Sequence, residues 1–318
     1  MPRIKFADVK FPDHNTPSLY DLEVRLRKHL DQFRERIGSP KFEYAMPEAD
    51  RMKIKRRAKA YLSAVSRKSG MGHLDDKDRQ SMEAFRNGAE LVSVETEHRA
   101  DEIASAIHTE MPWMAAATEM IWQDMRSSVR NGDAAPRLRP LLLVGPPGIG
   151  KSHWARLLGQ RLVVPTTVIE ATGEPASFSV TGSQRGWGTA NPGKPLEQII
   201  ANGIANPVIV VDEIEKAGNV ESRRGVRFSL TEGLLPFLER STAAHWSCPY
   251  FRIAFDMSWI TWVMTANSVD GLSQPFLSRC PPTKLPDLSV EHLMGFADRE
   301  GARRDLPHDA IDAVKDVI

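Results

Sequence analysis

The chain has 318 residues and a formal net charge of +1, with 42 basic and 41 acidic side chains. This length allows a full hydrophobic core plus a second unit, and the balanced charge excludes a global polyelectrolyte role. Cys248 and Cys280 lie far apart without a metal-like set of partners, which indicates reduced thiols. There is no signal-peptide pattern, and no apolar run approaches the roughly twenty residues that span a bilayer. We therefore expect a cytoplasmic protein without a membrane partner.

The first third of the chain has helical periodicity. Apolar residues step by three and four from Leu19 until Gly38 and Pro40 end the pattern. The predicted helices are Leu19 to Ile37, Glu48 to Lys68, and a stretch from near Asp75 to about Glu110 with a break near Gly88. We therefore predict an all-helical N-terminal domain over residues 1–110.

The second predicted helix carries a run of basic residues with no intervening acid: Arg51, Lys53, Lys55, Arg56, Arg57, Lys59, Arg67 and Lys68. Clustered cations can bind nucleic acid or an acidic partner by releasing counterions. A solvated helix face, balanced by Asp75, Asp76 and Asp78, is the commoner explanation of such a run. Tyr61 is the one aromatic residue interleaved with the cations. We favour the solvated face and keep nucleic acid as an alternative partner.

A glycine-rich segment follows the apolar run Pro140–Val144 and precedes a predicted helix from Lys151 to about Leu162. The segment consists of Gly145, Pro146, Pro147, Gly148, Ile149, Gly150, Lys151 and Ser152. Its glycines let the backbone curl so that successive N–H groups converge on an anion. Lys151 then reaches the β- and γ-phosphates of a nucleotide, and the Ser152 hydroxyl is a ligand for Mg²⁺. The positive end of the helix dipole also points at the nucleotide.

A second apolar run, Val208–Val211, ends in two acids, as a buried parallel strand that delivers carboxylates to its C-terminal edge should. Asp212 would hold the Mg²⁺, usually through water, and Glu213 would orient and polarise the attacking water. A core strand that ends in solvated acids is the simpler alternative. The complete phosphate segment about sixty residues earlier favours the catalytic interpretation.

Two further residues complete the catalytic set. The apolar run Trp259–Ala266 predicts a strand that ends at Asn267, whose amide can hydrogen-bond both the γ-phosphate and the attacking water. Asn also begins turns well, which is the simpler alternative. Arg279 ends the segment Pro275-Phe-Leu-Ser-Arg and would lie on the rim of the domain. Alone it would be a surface arginine, but in this series we favour a guanidinium that stabilises phosphoryl charge in a neighbouring subunit.

These four elements, in this order, resemble an AAA+ ATPase, and their detail resembles the ATPase module of the Lon family. The resemblance runs from about Met111 to about Leu288. It rests on GPPGIGKS, the stretch Arg185–Lys194, VDEIEKAG, the pair Phe255-Asp256, TAN and PFLSR. It implies ATP and Mg²⁺ as cofactors and ATP hydrolysis in a homo-oligomeric ring, expected to be a hexamer. It also implies that hydrolysis is coupled to the remodelling of an unidentified protein partner.

The resemblance also implies a pore loop. In the Lon-like pattern an aromatic residue a few positions before Pro-Gly-Lys lines the central pore of the ring, and Trp187 occupies that position. The next family position is usually bulky and apolar but is Gly188 here. Glycines on both sides of Trp187 favour a mobile loop over an exposed turn or a packed core residue.

Two departures concern the end of the sequence. Lon proteases carry a peptidase domain after the ATPase, whereas this sequence ends at Ile318, so we expect no peptidase activity. Helical periodicity predicts an abbreviated lid of two helices, Val290 to about Ala302 and Pro307 to Ile318. The family's lid continues into a helix whose arginine touches the nucleotide. Arg303 and Arg304 fall in the predicted link, and we assign that role to neither.

We therefore predict an α/β P-loop NTPase of the AAA+ type, with a parallel five-stranded sheet, helices on both faces and a short helical lid. The nucleotide-binding domain would cover residues 111–288 and the lid residues 289–318. The predicted strands are Pro140–Val144, Thr166–Glu170, Val208–Asp212, Trp259–Ala266 and one near Pro282–Leu285. Three alternatives stay open: a nucleic-acid motor or loader, a nucleotide-gated scaffold, and the ATPase subunit of a protease with a separate peptidase chain.

Overall fold

The computed structural model of the chain describes residues 1–11, 16–38, 46–172, 176–186, 190–217, 220–221 and 227–318. The helices are α1 (Leu19–Arg36), α2 (Glu48–Lys68), α3 (Asp76–Glu83), α4 (Glu97–Glu110), α5 (Ala115–Asn131), α6 (Lys151–Leu162), α7 (Ala176–Thr181), α8 (Lys194–Asn202), α9 (Leu230–Leu238), α10 (Arg240–Ala243), α11 (Gln274–Arg279), α12 (Val290–Arg303) and α13 (His308–Lys315). The strands are β1 (Arg3–Ile4), β2 (Ala89–Glu90), β3 (Leu141–Val144), β4 (Thr166–Glu170), β5 (Val208–Asp212), β6 (Val220–Glu221), β7 (Arg227–Phe228), β8 (Trp246–Ser247), β9 (Ala254–Phe255), β10 (Thr261–Ala266) and β11 (Pro282–Lys284). In the described part of the chain, no helix is long and apolar enough to cross a membrane.

The smaller of two compact units comprises residues 8–86 and contains α1, α2 and α3. A capping box starts α1: the Ser18 hydroxyl accepts a hydrogen bond from the backbone N–H of Asp21, and the Asp21 carboxylate accepts one from the backbone N–H of Ser18. An ion pair of 2.5 Å between Arg34 and Asp50 joins α1 to α2. The helical character predicted for this region is confirmed.

The boundary between the units differs from the prediction. Residues 1–7 and 87–318 form the larger unit, because β1 pairs in antiparallel fashion with β2 and the backbone N–H of Asp256 donates to the Phe6 carbonyl, 2.8 Å away. The predicted third helix is divided into α3 and α4, with β2 between them. Ile103 and Ile107 of α4 are buried in the core of the larger unit. Helical periodicity shows that a face is apolar but not which neighbour covers it.

A five-stranded parallel sheet organises the larger unit, in the order β11-β3-β10-β5-β4. The predicted sheet is therefore confirmed, and its three central strands, β3, β10 and β5, are largely apolar runs because both of their faces are covered. Ala266 lies opposite Val144, and Met264 lies opposite Val211. The carboxyl ends of β3, β10 and β5 consequently meet at one edge of the sheet.

Helices cover both faces of this sheet. On one face α4, α5 and α6 bury residues such as Ile107, Ile121 and Trp154 against alternate residues of β3, β5 and β10. On the other face the ring of Trp262 lies 5.4 Å from that of Phe237 on α9. The alternation of side chains along each strand divides the two cores.

The two predicted C-terminal helices are observed as α12 and α13, which belong to the larger unit. They pack closely: a Cβ atom added to Gly301 would lie only 2.5 Å from the Ile311 side chain. Arg303, which the prediction placed in the link, is instead the last residue of α12, and Arg304 caps that helix. Because Arg303 lies on α12 and not in a link, the helix fixes the direction of its side chain, which can contact residues of other elements.

Candidate nucleotide site

The turn between β3 and α6 has the backbone geometry of a phosphate cradle. Gly148 and Gly150 have φ angles of 82° and 87°, a region that other L-residues rarely adopt. A Cβ atom on Gly145 would lie 3.1 Å from the Leu285 carbonyl oxygen, and one on Gly150 would lie 2.8 Å from Met111 Cε. Glycine is thus favoured by backbone conformation at Gly148 and Gly150 and by close packing against backbone at Gly145. The turn directs the amino end of α6 toward the edge where the strands end.

Lys151 lies at the centre of this turn. Its side chain is largely buried, and its Nζ atom donates hydrogen bonds to the carbonyl oxygens of Gly145 and Pro146, both at 2.8 Å. Nζ also donates to Oδ1 of Asn267 at 3.0 Å. Burial lowers the pKa of Lys151, while the negative charges of Glu215 and its neighbours act in the opposite direction. The structure thus brings two predicted site residues into direct contact.

Asp212 and Ser152 also meet at this edge. The Ser152 hydroxyl donates to Oδ1 of Asp212 at 2.6 Å, and the Thr265 hydroxyl donates to the same oxygen. A hydroxyl and a carboxylate are hard oxygen donors of the kind that Mg²⁺ prefers, and Mg²⁺ in nucleotide sites commonly has few protein ligands. The predicted pair therefore fits a magnesium ion, with Thr265 as an additional residue that orients the carboxylate.

Glu213 follows Asp212 in an unusual backbone conformation. Its φ and ψ angles of 54° and 49° lie in the left-handed region, which is uncommon for a residue with a side chain. The backbone N–H of Glu213 donates to the Thr265 hydroxyl at 3.1 Å, which ties this turn to β10. The carboxylate pairs with Lys216 at 2.6 Å and is partly exposed. Glu213 therefore presents a carboxylate to solvent at the edge of the site.

Glu215 is a site residue that the sequence analysis did not identify. Its Oε1 atom accepts a hydrogen bond from the backbone N–H of Asn267 at 3.0 Å, and its Oε2 atom is buried without a hydrogen-bond partner in the described structure. Its charge also opposes the lowering of the Lys151 pKa. The sequence signal was the third acid of VDEIE, after Asp212 and Glu213. Only the 3-10 turn Ile214–Lys216 reveals that this acid points back into the site.

A cavity of about 420 Å³ adjoins the phosphate turn. Residues that precede α5 and residues of α12 line it, among them Met111, Trp113, His292, Phe296 and Arg299. The indole Nε1 of Trp113 donates to the Ile149 carbonyl at 2.8 Å. The same ring lies 5.7 Å from His292 and 6.3 Å from Phe296, measured between ring centroids. Trp113 thus connects the turn to α12.

Glu110 is a second connection to α12. Its carboxylate pairs with Arg303 at 3.0 Å and with Arg161 of α6 at 3.4 Å, and its backbone carbonyl accepts from Arg299 at 3.1 Å. Burial acts to raise the pKa of Glu110, but the hydrogen bonds and charges of Arg303 and Arg161 outweigh it and lower the pKa overall. The ionised carboxylate of Glu110 therefore connects α4 to α6 and to α12.

The remaining predicted residues do not join this cluster. Arg279 ends α11, where its Nε atom lies 2.7 Å from Glu239 and its guanidinium donates to the Pro275 carbonyl. Its assignment to a neighbouring subunit stays a prediction. Trp187 and Gly188 lie outside the described residues. The pore loop therefore stays a prediction.

Residues 141–285 match the ATPase family associated with various cellular activities (AAA). The Lon protease of Nitrosococcus oceani is 29% identical over 183 residues, which cover 56% of this chain and 23% of the relative. Lon protease 2 of Herpetosiphon aurantiacus is 32% identical over 157 residues, which cover 49% of this chain and 19% of the relative. The chain thus spans about a fifth of the length of these two relatives.

Among solved structures, the extended conformation of the Saccharomyces cerevisiae Hsp104:casein complex is similar. The TM-score is 0.50 at 15% sequence identity, and the match covers 89% of this chain and 55% of that chain. At this identity the similarity concerns the fold alone.

Proposed function

Because residues 141–285 form an AAA+ ATPase domain that resembles the ATPase module of the Lon proteases, we propose that this chain binds ATP with Mg²⁺ and hydrolyses it. We propose further that it does so in a homo-oligomeric ring, with a hexamer expected, and remodels a protein partner. One observation carries the catalytic part. Lys151, at the start of α6, bonds both to the glycine-rich turn and to Asn267, beside the Ser152–Asp212 pair.

The proposed nucleotide position follows from the two neighbouring features of the site. The phosphates would lie on the turn, where backbone N–H groups, the helix dipole and Lys151 all favour negative charge. The nucleoside would enter the cavity of about 420 Å³. The largely apolar side chains of Met111, Trp113 and Phe296 suit a planar base. Lys151 would exchange its bonds to backbone carbonyls for bonds to the β- and γ-phosphates.

Ser152 and Asp212 would hold Mg²⁺, which supplies charge neutralisation to the phosphates when bound. The Thr265 hydroxyl, which donates to the Asp212 carboxylate, would keep that carboxylate oriented. Its hydroxyl oxygen also accepts from the backbone N–H of Glu213. One side chain of β10 would thereby set the relative positions of both acids at the end of β5.

The chemical roles of the chain's own residues follow from their positions. Glu213 would orient and polarise the attacking water through its carboxylate. Because this carboxylate pairs with Lys216 in the described structure, the pair must open or rotate for Glu213 to act. Asn267 would position the γ-phosphate or the water through its amide, which carries both a donor and an acceptor. Glu215 would fix the backbone of Asn267.

Two residues, Arg279 and Trp187, have proposed roles that require assembly into a ring. Arg279 would insert into the nucleotide site of a neighbouring subunit, where a planar guanidinium stabilises charge on phosphoryl oxygens. Trp187 would contact an extended polypeptide in the central pore. The relatives named Lon protease support a protein as the partner. Peptidase activity is not part of the proposal, because the match covers the ATPase segment.

The test is ATP hydrolysis by the purified chain, measured as phosphate release with and without an unfolded protein such as casein. We expect Mg²⁺-dependent turnover, stimulation by the unfolded protein and a ring-sized particle by light scattering with ATP. Glu213→Gln should retain ATP binding while turnover falls by at least about two orders of magnitude, as expected when a positioned base is removed. Parental turnover in Glu213→Gln would contradict the assigned role.

The same assay separates the alternatives. Stimulation by DNA and not by unfolded protein would favour a nucleic-acid motor or loader. Ring assembly with ATP but negligible turnover in every condition would favour a nucleotide-gated scaffold. Trp187→Ala should keep basal turnover and assembly while remodelling of the unfolded protein is lost. A destabilised Trp187→Ala chain would instead indicate a buried core residue, because removing a buried aromatic costs about 3–5 kcal/mol.

A further inference from the structure

The exposed side of α2 carries a set of cations without an ion-pair partner among the described residues, which we call the basic face. Its members are Lys55, Arg56, Arg57, Lys59, Arg67 and Lys68, and all of them are exposed. At 100° per residue they occupy roughly 220° of the helix circumference. At about 1.5 Å per residue they extend over roughly 20 Å of its axis. Solvent ions screen an exposed positive surface of this size, and a polyanion that displaces those ions gains affinity from their release.

The acids nearest in sequence do not balance the basic face. The Asp75 carboxylate accepts a hydrogen bond from the backbone N–H of Asp78 at the start of α3, and Asp76 pairs with Arg79 at 3.1 Å. Glu48 and Asp50 pair with the preceding cations of α2, Arg51 and Lys53. Among the described residues, no member of the basic face has a carboxylate oxygen within the 4.0 Å of an ion pair. Asp75 and Asp76 thus have local partners on α3 and, in the described structure, form no ion pair with the basic face.

The apolar side of α2 packs against α1. Ala58 is buried, and Ile54, Leu62 and Val65 are partly buried on the side opposite the basic face. A helix that inserts into a lipid interface needs a free apolar face beside its cations. Because that face of α2 already has a protein neighbour, the arrangement favours a water-filled groove lined by phosphates over a bilayer.

We propose that the basic face binds the phosphate backbone of double-stranded nucleic acid without sequence preference. A duplex carries one phosphate per about 1.7 Å of axis, both strands counted, so roughly 20 Å of duplex carries about 12 phosphates, of which only part face a bound helix. The major groove admits an α-helix, and cations on both flanks of α2 reach the strands on either side. A duplex fits better than a single strand, because Tyr61 is the one aromatic residue of α2 and offers little stacking.

This site is independent of the proposed ATPase. It lies in the unit of residues 8–86, outside residues 141–285, and uses no residue of the nucleotide site. Failure of nucleic-acid binding would therefore leave the proposed hydrolysis untouched, and failure of hydrolysis would leave this proposal untouched.

The experiment titrates the full chain, without nucleotide, into a fluorescein-labelled duplex of about 20 base pairs and of mixed sequence, which is longer than α2. Fluorescence anisotropy gives the affinity from low to physiological salt. Six contacts would give a slope of log K against log salt of up to about −5. In the triple variant Lys55→Gln, Arg56→Gln, Lys59→Gln, we expect the slope to shrink by about 3 and the affinity to fall at least about tenfold.

A charge-matched control separates the basic face from overall charge. The control variant Arg79→Gln, Arg99→Gln, Lys315→Gln removes three cations that each pair with an acid. It should bind the duplex within about twofold of the parent. Absence of binding by the parent, equal loss in both variants, or no loss in the basic-face variant would each overturn the proposal. Binding to anionic lipid vesicles but not to the duplex would overturn it as well. Far-UV circular dichroism establishes that both variants keep their helices.

Discussion

The ammonium group of Lys151 donates a hydrogen bond to the Oδ1 atom of Asn267, which lies 3.0 Å away and 116 positions later in the chain. Lys151 begins α6 after β3, and Asn267 follows β10, the strand that pairs directly with β3. One polar contact therefore links the phosphate turn to the residue proposed to position the γ-phosphate. Because the two residues have different proposed roles, substitutions at each should have different effects on nucleotide binding and on turnover.

Lys151→Ala should abolish nucleotide binding, whereas Asn267→Ala should mainly slow turnover. Removing the lysine deletes the cation that faces the phosphates and should raise the Kd for a fluorescent ATP analogue at least about 100-fold. Asn267→Ala leaves that cation in place, so we expect a Kd within about threefold of the parent and a turnover about 100-fold lower. Lys284→Ala, which removes an exposed lysine of β11, is the matched control and should change neither quantity.

Glu215 should act as a positioning residue for Asn267. Glu215→Ala removes the acceptor of the Asn267 backbone N–H and should lower turnover about tenfold, because an unpaired buried donor shifts the strand end. Glu215→Gln keeps an acceptor oxygen and should recover most of this loss. Steady-state phosphate release measures both. Equal damage in both variants would assign the effect to the charge of Glu215 and not to its hydrogen bond.

The indole N–H of Trp113 should contribute to nucleotide affinity through the phosphate turn. Trp113→Phe removes the hydrogen bond to the Ile149 carbonyl while it keeps an aromatic ring beside α12. A hydrogen bond of about 1 kcal/mol corresponds to a roughly fivefold higher Kd for ATP. Trp122→Phe, which removes the Nε1 bond to Asp101 on the outside of α5, is the control and should leave the Kd unchanged. A Kd unchanged in Trp113→Phe would contradict the proposed coupling.

Arg279→Ala should leave nucleotide affinity nearly intact but stop turnover in the assembled ring. The guanidinium contacts Glu239 and Pro275 in its own chain, so its loss removes no phosphate contact there. Mixing Arg279→Ala chains with Lys151→Ala chains should restore part of the phosphate release at mixed interfaces. Glu239→Gln is the control for the ion pair itself. Mixtures that co-assemble but stay inactive would show that Arg279 does not act in a neighbouring site.

The ionised Glu110 should hold α12 beside the nucleotide cavity. Because the folded-state pKa of Glu110 is lowered, its contribution is present above the usual glutamate pKa and is lost as pH falls through the lowered value. Glu110→Gln should therefore weaken ATP binding at pH 7 by a few-fold, through looser contacts with Arg303 and Arg161. Glu300→Gln, which removes a partner of Arg303 that lies on the same helix, should have a smaller effect.

The sequence alone determined the parts of this protein that depend on local chemistry. The phosphate turn could be predicted because two of its positions demand glycine conformations and a lysine must follow. The sheet could be predicted because β3, β5 and β10 are apolar runs whose ends carry polar residues. Backbone conformation and burial on both faces each leave a signal within a few neighbouring residues.

Only the tertiary structure decided which distant side chains meet. Glu215 reaches Asn267, and Trp113 reaches Ile149, across 52 and 36 positions of sequence. No spacing rule predicts contacts between elements so far apart. The basic face of α2 shows the same limit: its acidic neighbours were visible in the sequence, but only the folded chain shows that local capping and an i,i+3 ion pair occupy them. Propensity and periodicity describe single elements, whereas a site is made by the packing of several.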